Sequence, residues 1–128
     1  MDKKLYKLLL IALFSSSSFA YNNSDINLFD LYKDLHRNPE LSYKEFETSK
    51  KLSLILKELG CEVTSGVGGN GVVALLKNGE GKTVMLRADM DGLPVEEKTG
   101  ANYASRTKTL NDEGQEVFTM HACGHDVH

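Results

Sequence analysis

Leu28, Leu31, Tyr32 and Leu35 recur at three- and four-residue intervals, which gathers them on one face of a helix. Ser24 or Asp25 is available to cap its start. Asn38-Pro39 ends it, because proline brings no backbone N–H to the ladder. Ser42 and Glu45 then have the spacing of a capping box, and Phe46, Leu52, Ile55, Leu56 and Leu59 form a second apolar stripe that stops at Gly60. After Gly60 the pattern turns extended: a short stretch over 61–64, a glycine-rich loop over 66–71, and a run of strand formers over 72–76. Asn78-Gly79 and Gly81 lead into another apolar run over 83–88, which predicts a β-hairpin between those last two runs. The order helix, helix, strand, strand, strand predicts an α/β layer structure with helices packed on a mixed β-sheet, the sheet being incomplete.

The first twenty residues have a different character. Lys3, Lys4 and Lys7 make a positive start, residues 8–14 are unbroken apolar, and Ser18-Phe19-Ala20 offers the small residues a signal peptidase selects. A retained membrane anchor is the alternative, but spanning hydrocarbon takes about 20 apolar residues and the serines from Ser15 to Ser18 end this run early. The expectation is a signal peptide over 1–20, a mature chain over 21–128, a bacterial periplasmic or secreted location, and no membrane association after cleavage. The mature length suits one modest core and leaves no room for two full domains.

Composition narrows the partners. With 15 Lys+Arg against 18 Asp+Glu, a net charge of -3 and no dense basic stripe, the electrostatic source of nucleic-acid affinity is missing, so no nucleic-acid partner is expected. The glycines from Gly66 to Gly71 superficially suggest a phosphate loop, but no Gly-Lys-Ser/Thr follows and the next element reads as a strand. They are read as a connection, and no nucleotide cofactor is expected.

Two loops hold most of the chemistry. In Arg87-Ala88-Asp89-Met90-Asp91-Gly92-Leu93-Pro94 the two carboxylates stand two apart, so in extended chain they share a side and can converge on a cation or a histidine. Taken alone, that pattern is first of all a polar turn. The second loop, His121-Ala122-Cys123-Gly124-His125-Asp126-Val127-His128, packs three of the 4 histidines and one of the 2 cysteines into one short stretch. Thiolate and imidazole are ligands of choice for zinc and comparable metals, and a neighbouring carboxylate can fix a ligand histidine's tautomer. An exported chain with two cysteines also invites a Cys61–Cys123 disulfide. Cys61 begins an apolar stretch and Cys123 lies among metal-competent neighbours, so a packed thiol and a metal thiolate are the favoured pair of roles.

Leu86 to Pro94 and Met120 to His128, with His36-Arg37-Asn38-Pro39-Glu40-Leu41-Ser42 before them, resemble the M20 metallopeptidase family in its aminoacylase, hippurate hydrolase and indoleacetyl-amino-acid hydrolase branch. The motifs are long and their order and spacing also fit. The resemblance implies the N-terminal part of a zinc-peptidase-like catalytic domain that binds two divalent ions, zinc or manganese. It implies Cys123 and His125 as metal ligands and Asp91 as the active-site aspartate that orients a ligand histidine. Asp89 stands where other branches place a ligand histidine and is not assigned. His121, Asp126 and His128 are weaker candidates for supporting or substrate contacts.

The implied reaction is metal-assisted hydrolysis of N-acyl amino acids or related small amides, by a homodimer in the full-length enzyme. Family members carry a Glu-Glu pair after the Cys-Gly-His motif, supplying the general base and a ligand, then further ligand histidines and an inserted dimerisation domain. No such segments follow Cys123 here, so the 128 residues are expected to be inactive alone. A small exported metal-binding module and a non-functional remnant are the competing readings.

Overall fold

The computed structural model describes residues 26–128. The expected signal peptide over 1–20, and Ser24 and Asp25, lie outside the described residues. Helix α1 spans Leu28–Arg37, and its cap is Asn27, not the Ser24 or Asp25 expected from the sequence: the Asn27 side chain accepts from the backbone N–H of Phe29 and Asp30. Asn38 closes the helix, its N–H reaching the carbonyls of Asp34 and Leu35.

Helix α2 spans Phe46–Glu58 and ends just before Gly60, which takes φ 84 in the left-handed region. Its predicted capping box is absent, and Glu45 makes no side-chain capping bond. Glu40 does that work from across the turn, its two carboxylate oxygens accepting from Glu47 N–H at 3.1 Å and Thr48 N–H at 2.8 Å. A carboxylate there satisfies two orphan donors and faces the positive end of the helix dipole.

The glycine-rich stretch is the tight turn of a hairpin. Strand β1 (Glu62–Val67) pairs antiparallel with β2 (Gly71–Leu75), and α2 packs on both. Gly71 is required at its end, since a Cβ there would stand 2.3 Å from the Val67 carbonyl oxygen. The hairpin expected between 72–76 and 83–88 does not form. No strand is assigned over 83–88, and Val84, Met85 and Leu86 are 81%, 85% and 94% exposed. β2 finds its antiparallel partner through the three-residue turn before it, and the longer loop through Gly79 and Gly81 brings no second partner alongside. A second antiparallel pair joins β3 (Lys108–Leu110) and β4 (Glu116–Phe118). The class is α/β as expected, but the strands among the described residues form two antiparallel pairs and two isolated bridges in place of one continuous mixed sheet.

Those bridges position the site. Leu41 bridges Gly92 in parallel and Leu93 bridges Met120 antiparallel, so three distant segments run side by side. Gly92 N–H donates to the Glu40 carbonyl at 2.6 Å, while Leu93 and Met120 exchange bonds of 2.8 and 3.0 Å. The Asp89–Asp91 loop and the histidine-rich loop are thereby held against each other. Buried apolar side chains are few among the described residues, Leu35 and Leu41 in particular. The buried residues of α2 are Thr48, Ser49 and Ser53, whereas the predicted stripe is half-buried or, at Phe46, exposed.

Candidate metal centre

The chain ends in a 3-10 turn, His125–Val127, entered through Gly124 at φ 76. His125 leaves this turn toward the Asp89–Asp91 loop. Its Nδ1 lies 2.9 Å from Asp91 Oδ1 and 3.0 Å from the Asp91 carbonyl oxygen. Both neighbours are acceptors, so Nδ1 donates to them and Nε2 is the nitrogen left for another partner. Nε2 points toward Asp89 Oδ2, 3.9 Å away, and the His128 ring stands 5.2 Å from that of His125. Asp89, His125 and His128 offer three ligand atoms within 4.8 Å of one another. Imidazole and carboxylate at this separation suit a divalent ion, and a carboxylate on the far nitrogen is the usual support of a metal-ligating histidine.

Of the residues singled out in the sequence, Asp91 and His125 are therefore together. Cys123 is exposed and outside the three-residue group, which takes in Asp89 and His128 instead. Asp89 also makes a two-point pair with Arg87, at 2.5 and 3.2 Å. Cys61 and Cys123 are both free thiols. Beside the group lies a cleft of about 390 Å³ walled by Leu28, Leu31 and Leu52 from the helices and by Asp89, His121 and His125.

Behind the metal group is a buried network that the sequence did not reveal. His36, from the last turn of α1, places Nδ1 2.6 Å from Asp126 Oδ2 and Nε2 3.2 Å from Glu97 Oε1. All three residues are buried. Both ring nitrogens face carboxylate oxygens, an arrangement that favours the doubly protonated imidazolium ring. Burial pulls the His36 pKa down, but hydrogen bonds and charge from Asp126 and Glu97 outweigh it and the net shift is upward. Burial likewise pushes Glu97 up, but the Thr99 hydroxyl, the Ser105 N–H at 2.5 Å and His36 reverse this, and its pKa falls below the ordinary value. His121 is buried with neither ring nitrogen hydrogen-bonded, and desolvation lowers its pKa despite the nearby charge of Asp126. Nothing local distinguishes Glu97 from Glu96 in the sequence, and the only hint was the density of polar residues around His36 and Asp126.

No protein-family model matches the chain. The curated relatives are nonetheless close in sequence. Thermostable carboxypeptidase 2 of Saccharolobus solfataricus is 47% identical over 103 residues, 79% of this chain and 24% of that protein. N-acetyl-L-cysteine deacetylase of Bacillus subtilis is 43% identical over 79% of this chain and 22% of its own length. Hippurate hydrolase of Campylobacter jejuni is 44% identical over 73% of this chain and 22% of its own. Among solved structures, the Bacillus subtilis YXEP protein, a dinuclear metal-binding peptidase of the M20 family, superposes with a TM-score of 0.64 at 38% identity, over 77% of this chain and 26% of that one. The class these names share is that of hydrolases, one of them a metal-binding peptidase. Within it, the chain belongs to the M20 family, and it spans about a quarter of the length of the relatives it matches.

Proposed function

We propose that this sequence is the N-terminal part, over residues 21–128, of the catalytic domain of a divalent-metal amidohydrolase acting on N-acyl amino acids or related small amides. The relatives named deacetylase and hippurate hydrolase support that substrate class. The observation that carries the reading is the orientation of His125, with Nδ1 engaged by Asp91 and Nε2 turned toward further ligand atoms. In this reading Cys123 and His125 are metal ligands, and Asp91 holds the His125 tautomer. Two bound zinc or manganese ions would supply water activation and carbonyl polarisation. Asp91 contributes by fixing the ring and keeping the proton on Nδ1. The leader over 1–20 directs the protein to the periplasm or beyond, and the active enzyme is a homodimer.

The test is release of free amino acid from N-acetyl- and N-benzoyl-amino acids with manganese or zinc added. It is run on the chain itself and on a chimera in which the chain replaces the matched segment of the Bacillus subtilis deacetylase. The chimera is expected to turn over with metal. Its Asp91→Asn variant should lose rate by more than it loses substrate affinity, and its Cys123→Ala variant should lose metal. A folded, metal-loaded chimera that leaves every such amide intact would overturn the proposal.

A further inference from the structure

We propose that His36 is a positioning residue for the metal group, acting through Asp126 on the turn that carries His125. The inference rests on the reading of His125 as a metal ligand, but the residues that carry it lie outside the proposed ligand set.

The turn His125–Val127 is short, and its backbone is secured locally by Gly124 N–H to the His121 carbonyl and Val127 N–H to the Gly124 carbonyl. Two side chains tie it to the rest of the fold: His125 to Asp91, and Asp126 to His36. Adjacent residues in such a turn point in different directions, so the two ties brace it from two sides. His36 is itself braced, because Nε2 is held by Glu97, and Glu97 is fixed by Thr99 and Ser105. Three segments separated by 61 and 90 residues from His36 to its partners thus converge on one buried imidazolium. Tyr103 and Tyr32 pack against its ring at centroid distances of 5.3 and 5.5 Å. A buried ion held at both nitrogens has one low-energy orientation, and it passes that orientation to Asp126. The consequence is a preset His125 ring, at the cost of burying three ionisable groups that an apolar core would not contain.

The test compares His36→Gln and Asp126→Asn with the unchanged chain at a temperature where circular dichroism shows all of them folded. Leu56→Ala serves as a variant that loses stability away from the network. Cobalt(II) alone is titrated and its visible absorption recorded, and the tautomer of His125 is read separately by nitrogen-15 NMR without metal. Loss of a group that orients a ligand typically weakens metal binding by about 10- to 100-fold. That loss is expected for His36→Gln and Asp126→Asn and not for Leu56→Ala, together with a His125 ring that no longer holds a single Nδ1–H tautomer. Equal weakening by Leu56→Ala would reduce His36 to a purely structural role and overturn the proposal. If the unchanged chain binds no cobalt, the metal reading fails by itself. An unchanged His125 tautomer in His36→Gln would then overturn the positioning role independently.

Discussion

Glu97→Gln removes one charge from the buried network and almost no volume, so its effect can be worked from the hydrogen bonds. Three donors converge on the Glu97 carboxylate: the Ser105 N–H, the Thr99 hydroxyl and the His36 Nε2–H. Glutamine offers one acceptor oxygen, and its NH2 must then face one of those donors. Hydrogen bonds to charged groups contribute about 1.5–3 kcal/mol each, and removing one partner of a buried ion pair costs about 3–5 kcal/mol. We expect a loss of about 3 kcal/mol, or about 12–24 °C in Tm for a domain of this size.

The loss should also depend on pH. Glu97 has a depressed pKa in the fold, so its contribution is full above the ordinary value of 4.5 and disappears as pH falls through the folded value. His36 has a raised pKa, so its share is full below 6.5 and disappears as pH rises through the folded value. Urea denaturation of both proteins across that range should therefore show the widest gap between those two limits and a narrowing on either side. A gap under about 0.5 kcal/mol between pH 4.5 and 6.5, or one of constant size on both sides of that window, would refute the account of this network.

Glu40→Ala removes the acceptor for two N–H groups at the start of α2 and should cost about 1 kcal/mol in the same urea assay, whereas Ser42→Ala should cost almost nothing. Cobalt bound to the chain should show a thiolate charge-transfer band that vanishes in Cys123→Ser; a band that persists there would remove Cys123 from the ligand set. In an NMR titration without metal, His121 should take up its proton below its ordinary value of 6.5, because burial disfavours the charged ring. Mass spectrometry of the exported protein should find Tyr21 at the N-terminus, and a mature form beginning at Met1 would count against the leader.

The two helices were legible because their signals are local. Helical spacing with the stops at Asn38-Pro39 and Gly60 places the C-terminal ends of α1 and α2, while both helices begin later than the caps read at Ser24 or Asp25 and at Ser42. The Asp-Met-Asp and Cys-Gly-His motifs were equally visible, since short spacing along the chain already brings ligand types together. Pairing was not legible. An apolar run over 83–88 looks the same whether or not a neighbouring strand arrives, and β2 pairs with β1 across the glycine turn that the sequence marked only as a connection. The capping residue of α2 was missed because Glu40 reaches it from outside the local pattern. Above all, the network of His36, Glu97 and Asp126 exists only in three dimensions. Its members lie too far apart for any periodicity to relate them, and what turns an ordinary histidine into a buried imidazolium is the carboxylate that the fold sets at each of its two nitrogens.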